Sequence, residues 1–323
     1  MAKQQKAKDE SKVINDLIFR ELIKRGYSLE GNTRIWNIAD SKLWYLTPEQ
    51  AQAFLDLEDS KDYQKEIIQK EIDLIKEKME DIMKMIGNDP VNIIDLGCGD
   101  GKKVVIFLEK LKDRARVRYC PIDISSYMVE KAISRIGKLG IGEVVQFQWN
   151  ISDFENMTNI TSLLRQSHFK KNFILLLGNT LGNFEINELL YGIRGAMKDG
   201  DVLLIGNGLD NRKPKEILKS YNTKEINHFW IQVLLQLGFE KKDIKFGSRF
   251  INSRVEVYYT ILKEHVINFQ GKEIIFNKGD QILTGVSYKY DKYDFRSFLN
   301  MYFAEVNMVT SEDKSYGLAI CKK

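Results

Sequence analysis

Glycines crowd one short segment of the chain, Asp95-Leu96-Gly97-Cys98-Gly99-Asp100-Gly101, directly after the apolar run 91–95. A backbone without side chains lets a ligand approach the chain closely. Asp123 ends the next apolar run, where an acid can hold the hydroxyls of a ribose. Asp95 precedes the glycines and the loop lacks the third-glycine spacing of G-x-G-x-x-G, which argues against an ordinary dinucleotide fold. Another dinucleotide fold or a plain structural turn remains the alternative.

Two later segments supply further polar groups at the ends of predicted strands. Asp153 and Phe154 follow the third strand, where a carboxylate can accept an adenine amino hydrogen and the ring can cover the base. Asp153 capping the next helix is an alternative. The fourth strand runs into residues 177–185, which place Asn183 outside the carboxyl end of the sheet, where ligands bind in this topology.

The elements that must position these residues alternate in type. Apolar residues recur every three to four positions from Tyr63 to Ile86, which predicts one long amphipathic helix. Helical patterns at 126–136 and 186–197 separate apolar runs, which indicates βαβ units and a parallel sheet. The predicted strands lie at residues 91–95, 117–122, 144–149, 173–177 and 202–205.

The remaining segments indicate a second, smaller unit. After residue 210 a helical pattern at 224–237 is followed by alternating runs between 246 and 276, which look antiparallel. The predicted fold class is therefore α/β, a Rossmann-like doubly wound sheet with a second α+β substrate or lid domain. We assign 60–209 and 290–323 to the sheet domain, and 1–59 and 210–289 to the second one. The runs 304–309 and 316–321 are predicted to join the main sheet as an antiparallel pair.

Composition excludes several classes of protein. The 323 residues include 49 Lys+Arg and 45 Asp+Glu, so the net charge is only +4 and basic residues alternate with acids. This argues against nucleic acid as a partner. No apolar run is long enough to span a membrane, so a cytoplasmic protein is expected. Three Cys and three His without metal spacing make a metal site unexpected. The oligomeric state is left open, with a monomer slightly favoured.

The loop at 95–101 resembles motif I of the class I S-adenosylmethionine-dependent methyltransferases. The segment Gly178-Asn179-Thr180-Leu181-Gly182-Asn183-Phe184 is similar to the fourth-strand signature of a narrower family, the histidine-specific Nα-methyltransferases of ergothioneine biosynthesis. Arg254-Val255-Glu256-Val257 and the segment 284–290 extend the resemblance over most of the chain.

This resemblance implies roles for single residues. S-adenosylmethionine would be the cofactor, and Lys103 would pair with its carboxylate or with a backbone carbonyl, unless it is a solvated first-turn lysine. Asn183 and Tyr221 would bind the carboxylate of an amino-acid substrate. Tyr63 would approach the accepting amine, although Gln64 or Lys65 stands where the family has Arg. The residues implied to hold the methyl donor are Gly97, Gly99, Lys103, Asp123, Asp153 and Phe154.

Departures from the family concern the substrate's side chain. Histidine-methylating members have Glu where this chain has Gly285, and Met where it has Val257, whereas Ser287 is kept. A pocket without its hydrogen-bond acceptor selects imidazole poorly. We therefore expect a side chain larger or less polar than that of histidine, an aromatic one first. The alternatives are that another acid such as Glu256 substitutes, or that the alignment is shifted by one residue.

The sequence thus predicts an S-adenosylmethionine-dependent methyltransferase that acts on the α-amino group of a free amino acid or related small amine other than histidine. The second domain is expected to fold over the sheet and exclude water. Two other hypotheses remain: a methyltransferase for a macromolecule or a different small molecule, and a non-catalytic relative that binds S-adenosylmethionine.

Overall fold

The computed structural model describes residues 15–147, 154, 156–166 and 168–323. Its strands are β1 (Tyr27–Glu30), β2 (Thr33–Asn37), β3 (Val91–Leu96), β4 (Val117–Ile122), β5 (Glu143–Val144), β6 (Lys171–Leu176), β7 (Val202–Gly208), β8 (Ile244–Ile251), β9 (Arg254–Ile261), β10 (His265–Phe269), β11 (Lys272–Phe276), β12 (Gln281–Tyr288), β13 (Glu305–Thr310) and β14 (Tyr316–Lys322). Its α-helices are α1 (Asp16–Arg25), α2 (Pro48–Glu58), α3 (Lys61–Tyr63), α4 (Gln69–Glu77), α5 (Met79–Ile86), α6 (Val105–Leu111), α7 (Ser126–Leu139), α8 (Met157–Leu164), α9 (Ile186–Ala196), α10 (Pro214–Tyr221), α11 (Lys224–Leu235) and α12 (Lys292–Tyr302).

The larger sheet, as far as the chain is described, has seven strands in the order β13-β14-β7-β6-β3-β4-β5. Strands β3 to β7 are parallel, whereas β14 pairs antiparallel with β7 and with β13. The predicted parallel sheet and the predicted antiparallel pair are both confirmed. The third predicted strand, 144–149, is described only in part: β5 pairs with β4 over Glu143–Val144, residues 145–147 are not in a strand, and residues 148–149 lie outside the described residues.

Alternate residues of β3 face opposite sides of this sheet, as the two-residue period of a strand requires. Val91 and Ile93 pack in a cluster with buried side chains of helices α4 to α7. Ile94 and Leu96 pack in another cluster, with side chains of α8, α9 and α12. Helices therefore cover both faces, which is why these strands are continuous apolar runs.

The helix predicted from Tyr63 to Ile86 forms, but it is not continuous. A π-helical turn covers Gln64–Ile68 between α3 and α4. At Lys78 the backbone leaves the helical region, with φ −95° and ψ 7°, which separates α4 from α5. The apolar period persists through both irregularities because Ile68, Leu74, Ile75, Met79 and Ile82 are all buried.

The second sheet, within the described residues, has five strands in the order β1-β2-β12-β9-β8. Strands β8 and β9 pair antiparallel from Ile244 opposite Ile261 to Ile251 opposite Arg254, and β10 and β11 form a separate antiparallel hairpin. These pairings confirm the antiparallel prediction for 246–276. Strand β12 pairs in parallel with β2, a contact between distant segments that the local sequence pattern did not predict.

The chain divides into two compact units. Among the described residues, the sheet unit comprises those within 46–213 and 288–323, and the small unit those within 15–45 and 214–287. Residues 46–59, which the sequence analysis placed in the second domain, therefore lie in the sheet unit. The physical reason is the apolar face of α2, since Ala51 and Leu55 pack against Met128 of α7.

Candidate functional site

The loop after β3 has a backbone that requires glycine. Gly97, Gly99 and Gly101 have φ values of +68°, +52° and +74°. A Cβ on Gly97 would lie 2.8 Å from Oγ1 of Thr180, and one on Gly101 would lie 3.1 Å from Cα of Ala132. A Cβ on Gly99 would meet nothing within 4 Å. The loop is therefore tightly packed on two sides and open at Gly99, which fits the close approach of a ligand.

Two acids flank this loop. Asp123 accepts hydrogen bonds from the backbone N–H of Gly99 (3.1 Å) and of Ser125 (3.0 Å). Burial raises the pKa of Asp123 to about 6, even though these N–H groups favour its ionised form. Asp95, in β3, accepts from the hydroxyl of Tyr119 at 3.0 Å, and burial raises its pKa to about 7. Asp123 is therefore the acid that touches the glycine loop directly.

Lys103, just after the loop, lies between two carboxylates. Its Nζ is 3.3 Å from Oε2 of Glu71 and 3.6 Å from Oε1 of Glu58. Burial lowers the pKa of Lys103, but Glu71 and Glu58 outweigh that effect and hold the pKa above its usual range. Gly178 is required here, because a Cβ at that position would overlap Nζ of Lys103. Lys103 is thus an ordered, charged member of the site rather than a solvated lysine.

Glu71 connects three distant parts of the sheet unit. It is 0% exposed, and its Oε1 accepts hydrogen bonds from the backbone N–H of Gly178 (2.8 Å) and from the hydroxyl of Tyr316. Within the described residues its Oε2 accepts no hydrogen bond. Glu71 is not among the site residues predicted from the sequence. The sequence does contain an indication of it, because a charged residue stands on the buried face of α4, between Ile68 and Ile75.

The turn after β6 presents Asn183 at the carboxyl end of the sheet. Asn179 adopts a left-handed conformation with φ +65°, and its Oδ1 accepts from the backbone N–H of Gly208 at 2.5 Å. Asn183 ends the 3-10 helix Thr180–Asn183 and is partly exposed. In the part of the chain that the structure describes, its side chain has no hydrogen-bond partner. Asn183 is therefore available to bind a ligand.

Aromatic residues predicted for the donor and amine sites also lie in the sheet unit. The ring of Phe154 is 5.5 Å from that of Phe184, and Phe154 has φ +73°. Asp153 lies outside the described residues. Tyr63 lies immediately before the π-helical turn, with its ring 6.5 Å from that of Phe54 in an edge-on arrangement. A π-helical turn is frequent at functional sites.

The small unit contains the residues predicted to select the substrate's side chain. Val257, on β9, is buried, and its carbonyl accepts from Oγ1 of Thr284 at 3.2 Å. A Cβ on Gly285 would lie 2.8 Å from Cε3 of Trp230 and would overlap two other atoms of its indole. The larger substrate side chain that the sequence led us to expect therefore finds no additional room at Gly285, because the indole fills that space.

Trp230 is held in place by a second tryptophan. Its ring lies 4.5 Å from that of Trp44, nearly perpendicular to it, and Trp230 is only 6% exposed. The indole N–H of Trp44 donates to the carbonyl of Thr284 at 2.8 Å, which ties this ring to β12. Trp230 is not among the residues predicted from the sequence, because no local sequence pattern indicates that its side chain faces Gly285.

Glu256, the acid considered as a substitute for the family's Glu, already forms ion pairs with two arginines. It is 2% exposed, and its carboxylate accepts from Nε of Arg249 (2.7 Å) and Nε of Arg254 (2.9 Å). Adjacent residues of a strand point to opposite faces, so Glu256 faces away from the side of Val257. Tyr221 ends α10 and Ser287 lies on β12, both partly exposed.

No helix of the described residues is long and apolar enough to cross a membrane. Across the same residues, no group of three His, Cys, Asp or Glu side chains is arranged to hold a metal ion.

A doubly wound sheet with a glycine loop after its first strand and an acid after its second is typical of nucleoside-binding α/β folds, which include the class I S-adenosylmethionine-dependent methyltransferases. A sequence model of the family described as "Histidine-specific methyltransferase, SAM-dependent" matches residues 51–323. The chain belongs to this family, and it is therefore a methyltransferase that uses S-adenosylmethionine. No curated protein sequence matches the chain.

The chain is also similar to solved structures at low sequence identity. The PH0226 protein of Pyrococcus horikoshii OT3 is 12% identical with a TM-score of 0.46, over 85% of this chain and 99% of that one. CalS10 of Micromonospora echinaspora, an amino pentose methyltransferase, is 10% identical with a TM-score of 0.38, over 86% and 98%. Identities this low say nothing about the acceptor.

Proposed function

We propose that this enzyme transfers a methyl group to the α-amino nitrogen of a free amino acid, or of a related small amine, other than histidine. The observation that carries this proposal is the side chain of Asn183 after the carboxyl end of β6, which no described residue engages in a hydrogen bond. An amide can donate hydrogen bonds to a substrate carboxylate, which a free amino acid offers.

The residues of the sheet unit fit the methyl donor. Open space at Gly99 allows the ligand to approach the backbone, Asp123 can accept from ribose hydroxyls, and Phe154 offers an aromatic surface for the base. Lys103 provides a positive charge for the donor's carboxylate. The sulfonium of S-adenosylmethionine supplies an activated methyl group.

The chain has to present a neutral amine in line with that methyl group. An α-amino group titrates near pH 8, so modest desolvation supplies enough free base without a strong general base. In the sheet unit we assign the orientation of the amine to Tyr63 and the binding of the carboxylate to Asn183. The role of Tyr221, in the small unit, is carried over from the family resemblance alone. Alignment and exclusion of water are the main contributions of the protein.

Selection of the substrate's side chain is assigned to the surface around Gly285, Val257 and Ser287. Trp230 occupies the place that an acidic side chain at residue 285 would take, and Glu256 is engaged by arginines. The acceptor therefore meets an indole instead of a carboxylate. Such a surface favours apolar or aromatic side chains and gives imidazole no acceptor.

The test is incubation of the purified enzyme with S-adenosylmethionine and a pool of free amino acids, small amines and their N-methyl forms, followed by mass spectrometry. We expect gains of one to three methyl groups on an amino acid with an apolar or aromatic side chain. A gain on histidine alone would contradict the assignment of Trp230. No gain on any small molecule, with donor binding retained, would overturn the proposed acceptor in favour of a macromolecule or a non-catalytic protein.

A further inference from the structure

Three charged side chains meet beside the glycine loop, and their charges do not cancel. Lys103 carries one positive charge, whereas Glu58 and Glu71 both lie within 3.6 Å of its Nζ. All three side chains are largely shielded from water, and the charge of Glu58 also contributes to the raised pKa of Asp123. The cluster is therefore short of one positive charge on the side of the donor site.

The two carboxylates are held differently. Glu71 is fixed by Gly178 and Tyr316 through Oε1, and its buried Oε2 faces Lys103 without a hydrogen bond from any described residue. Among the described residues Glu58, at the end of α2, forms one ion pair, with Lys103 at 3.6 Å, and its side chain is 12% exposed. If Glu58 turns towards another cation, Lys103 therefore keeps Glu71 as its fixed partner.

Burial makes a charged Glu58 unfavourable on its own. Burial raises the pKa of Glu58, and the positive charge of Lys103 only partly opposes the rise. A buried carboxylate with a single ion pair gains from any additional cation that can reach it. A ligand that brings an ammonium group to this position therefore relieves a cost already present in the protein.

The methyl donor offers an ammonium to Glu58, which shares Lys103 with Glu71, and a carboxylate that can take the place of Glu58 beside Lys103. Its amino-acid end has an ammonium and a carboxylate on one carbon, and the protein places a carboxylate and an ammonium side by side. We propose that Glu58 binds the α-ammonium of the donor while Lys103 binds its α-carboxylate. This inference rests on the proposed donor site and adds a residue from α2 to it.

Calorimetry with two ligands tests the assignment. S-adenosylhomocysteine has both groups, whereas its deamino analogue keeps the carboxylate and lacks the ammonium. Glu58→Gln is expected to lower the affinity for S-adenosylhomocysteine roughly tenfold and to leave the affinity for the deamino analogue unchanged. Unchanged analogue binding also shows that the variant is folded. Asp56→Asn, an exposed change on the same helix, is the control and is expected to alter neither affinity.

Two outcomes would overturn the proposal. Equal losses for both ligands in the Glu58→Gln variant would mean that Glu58 acts only by positioning Lys103. Equal affinities of the unsubstituted enzyme for the two ligands would mean that no group recognises the ammonium, whatever the variant does. The assay contains no acceptor, so an error in the proposed amino-acid substrate leaves its result unchanged.

Discussion

Glycine leaves room for different groups in the two units. In the sheet unit, Gly99 leaves space that the described residues do not fill, and Gly178 makes room for the ammonium of Lys103. In the small unit, Gly285 makes room for the indole of Trp230. The first arrangement gives a charged, ligand-accessible surface suited to a donor shared by many enzymes. The second gives a rigid aromatic surface, which suits selection among acceptors.

The largest effect is expected where the sheet unit binds the donor. Asp123→Ala removes the acceptor for the ribose hydroxyls, and charge-assisted hydrogen bonds to two hydroxyls correspond to about a hundredfold in affinity. Calorimetry with S-adenosylhomocysteine measures this loss. Asp113→Ala, an exposed change in the same unit, is the control. Unchanged affinity of the Asp123 variant would refute the donor site described above.

The role of the indole beside Gly285 is tested by placing an acidic side chain at residue 285. Gly285→Glu forces a side chain into the indole of Trp230, and overpacking of this kind lowers the free energy of unfolding by about 1–3 kcal/mol. Adding Trp230→Ala is expected to remove the clash, so the two changes together destabilise less than the sum of the single ones. Chemical denaturation of all four proteins gives the coupling.

The double variant Gly285→Glu, Trp230→Ala also tests whether this region selects the substrate. With the indole gone and a carboxylate present, the relative activity toward histidine is expected to increase. If the amino-acid profile of the double variant matches that of the parent, the surface around Gly285 does not select the substrate.

A smaller, separable effect is expected at Asn183. Asn183→Ala removes a hydrogen bond to the acceptor's carboxylate, which raises KM for the acceptor roughly tenfold while the donor affinity stays the same. Steady-state kinetics and calorimetry on one preparation separate the two quantities. Asn159→Ala, exposed on α8, is the control. A loss of donor affinity instead would place Asn183 in the donor site.

The smallest expected effect is the dependence of donor affinity on pH. Since the pKa of Asp123 is about 6 and ribose hydroxyls need the ionised form, donor affinity is expected to be constant above pH 6. Below pH 6 it falls with each step in acidity, by at most tenfold per pH unit, because protons must be released on binding. Asp123→Asn should bind weakly with no such slope. A slope that persists in this variant would assign the titration to another acid, such as Asp95.

Features with a local signal were predictable from the sequence. Short local patterns in the sequence indicate the strand Val91–Leu96, the glycine loop that follows it, and Asp123 after the next strand. The missed residues all depend on partners far away in the chain. Glu71 meets Gly178 and Tyr316, 107 and 245 residues away, and no local period indicates such a contact. The meeting of Trp230 with Gly285 is of the same kind.

The bond between Glu71 and Tyr316 has a consequence for the order of folding. Glu71 is fully buried in α4, and the hydroxyl that satisfies it comes from β14, which pairs between β7 and β13. Contacts between such distant segments form slowly, because a long loop must close first. Until β14 has entered the sheet, Glu71 lacks this partner and the turn at Gly178 lacks a stable anchor. We therefore expect the donor side of the enzyme to be completed late in folding.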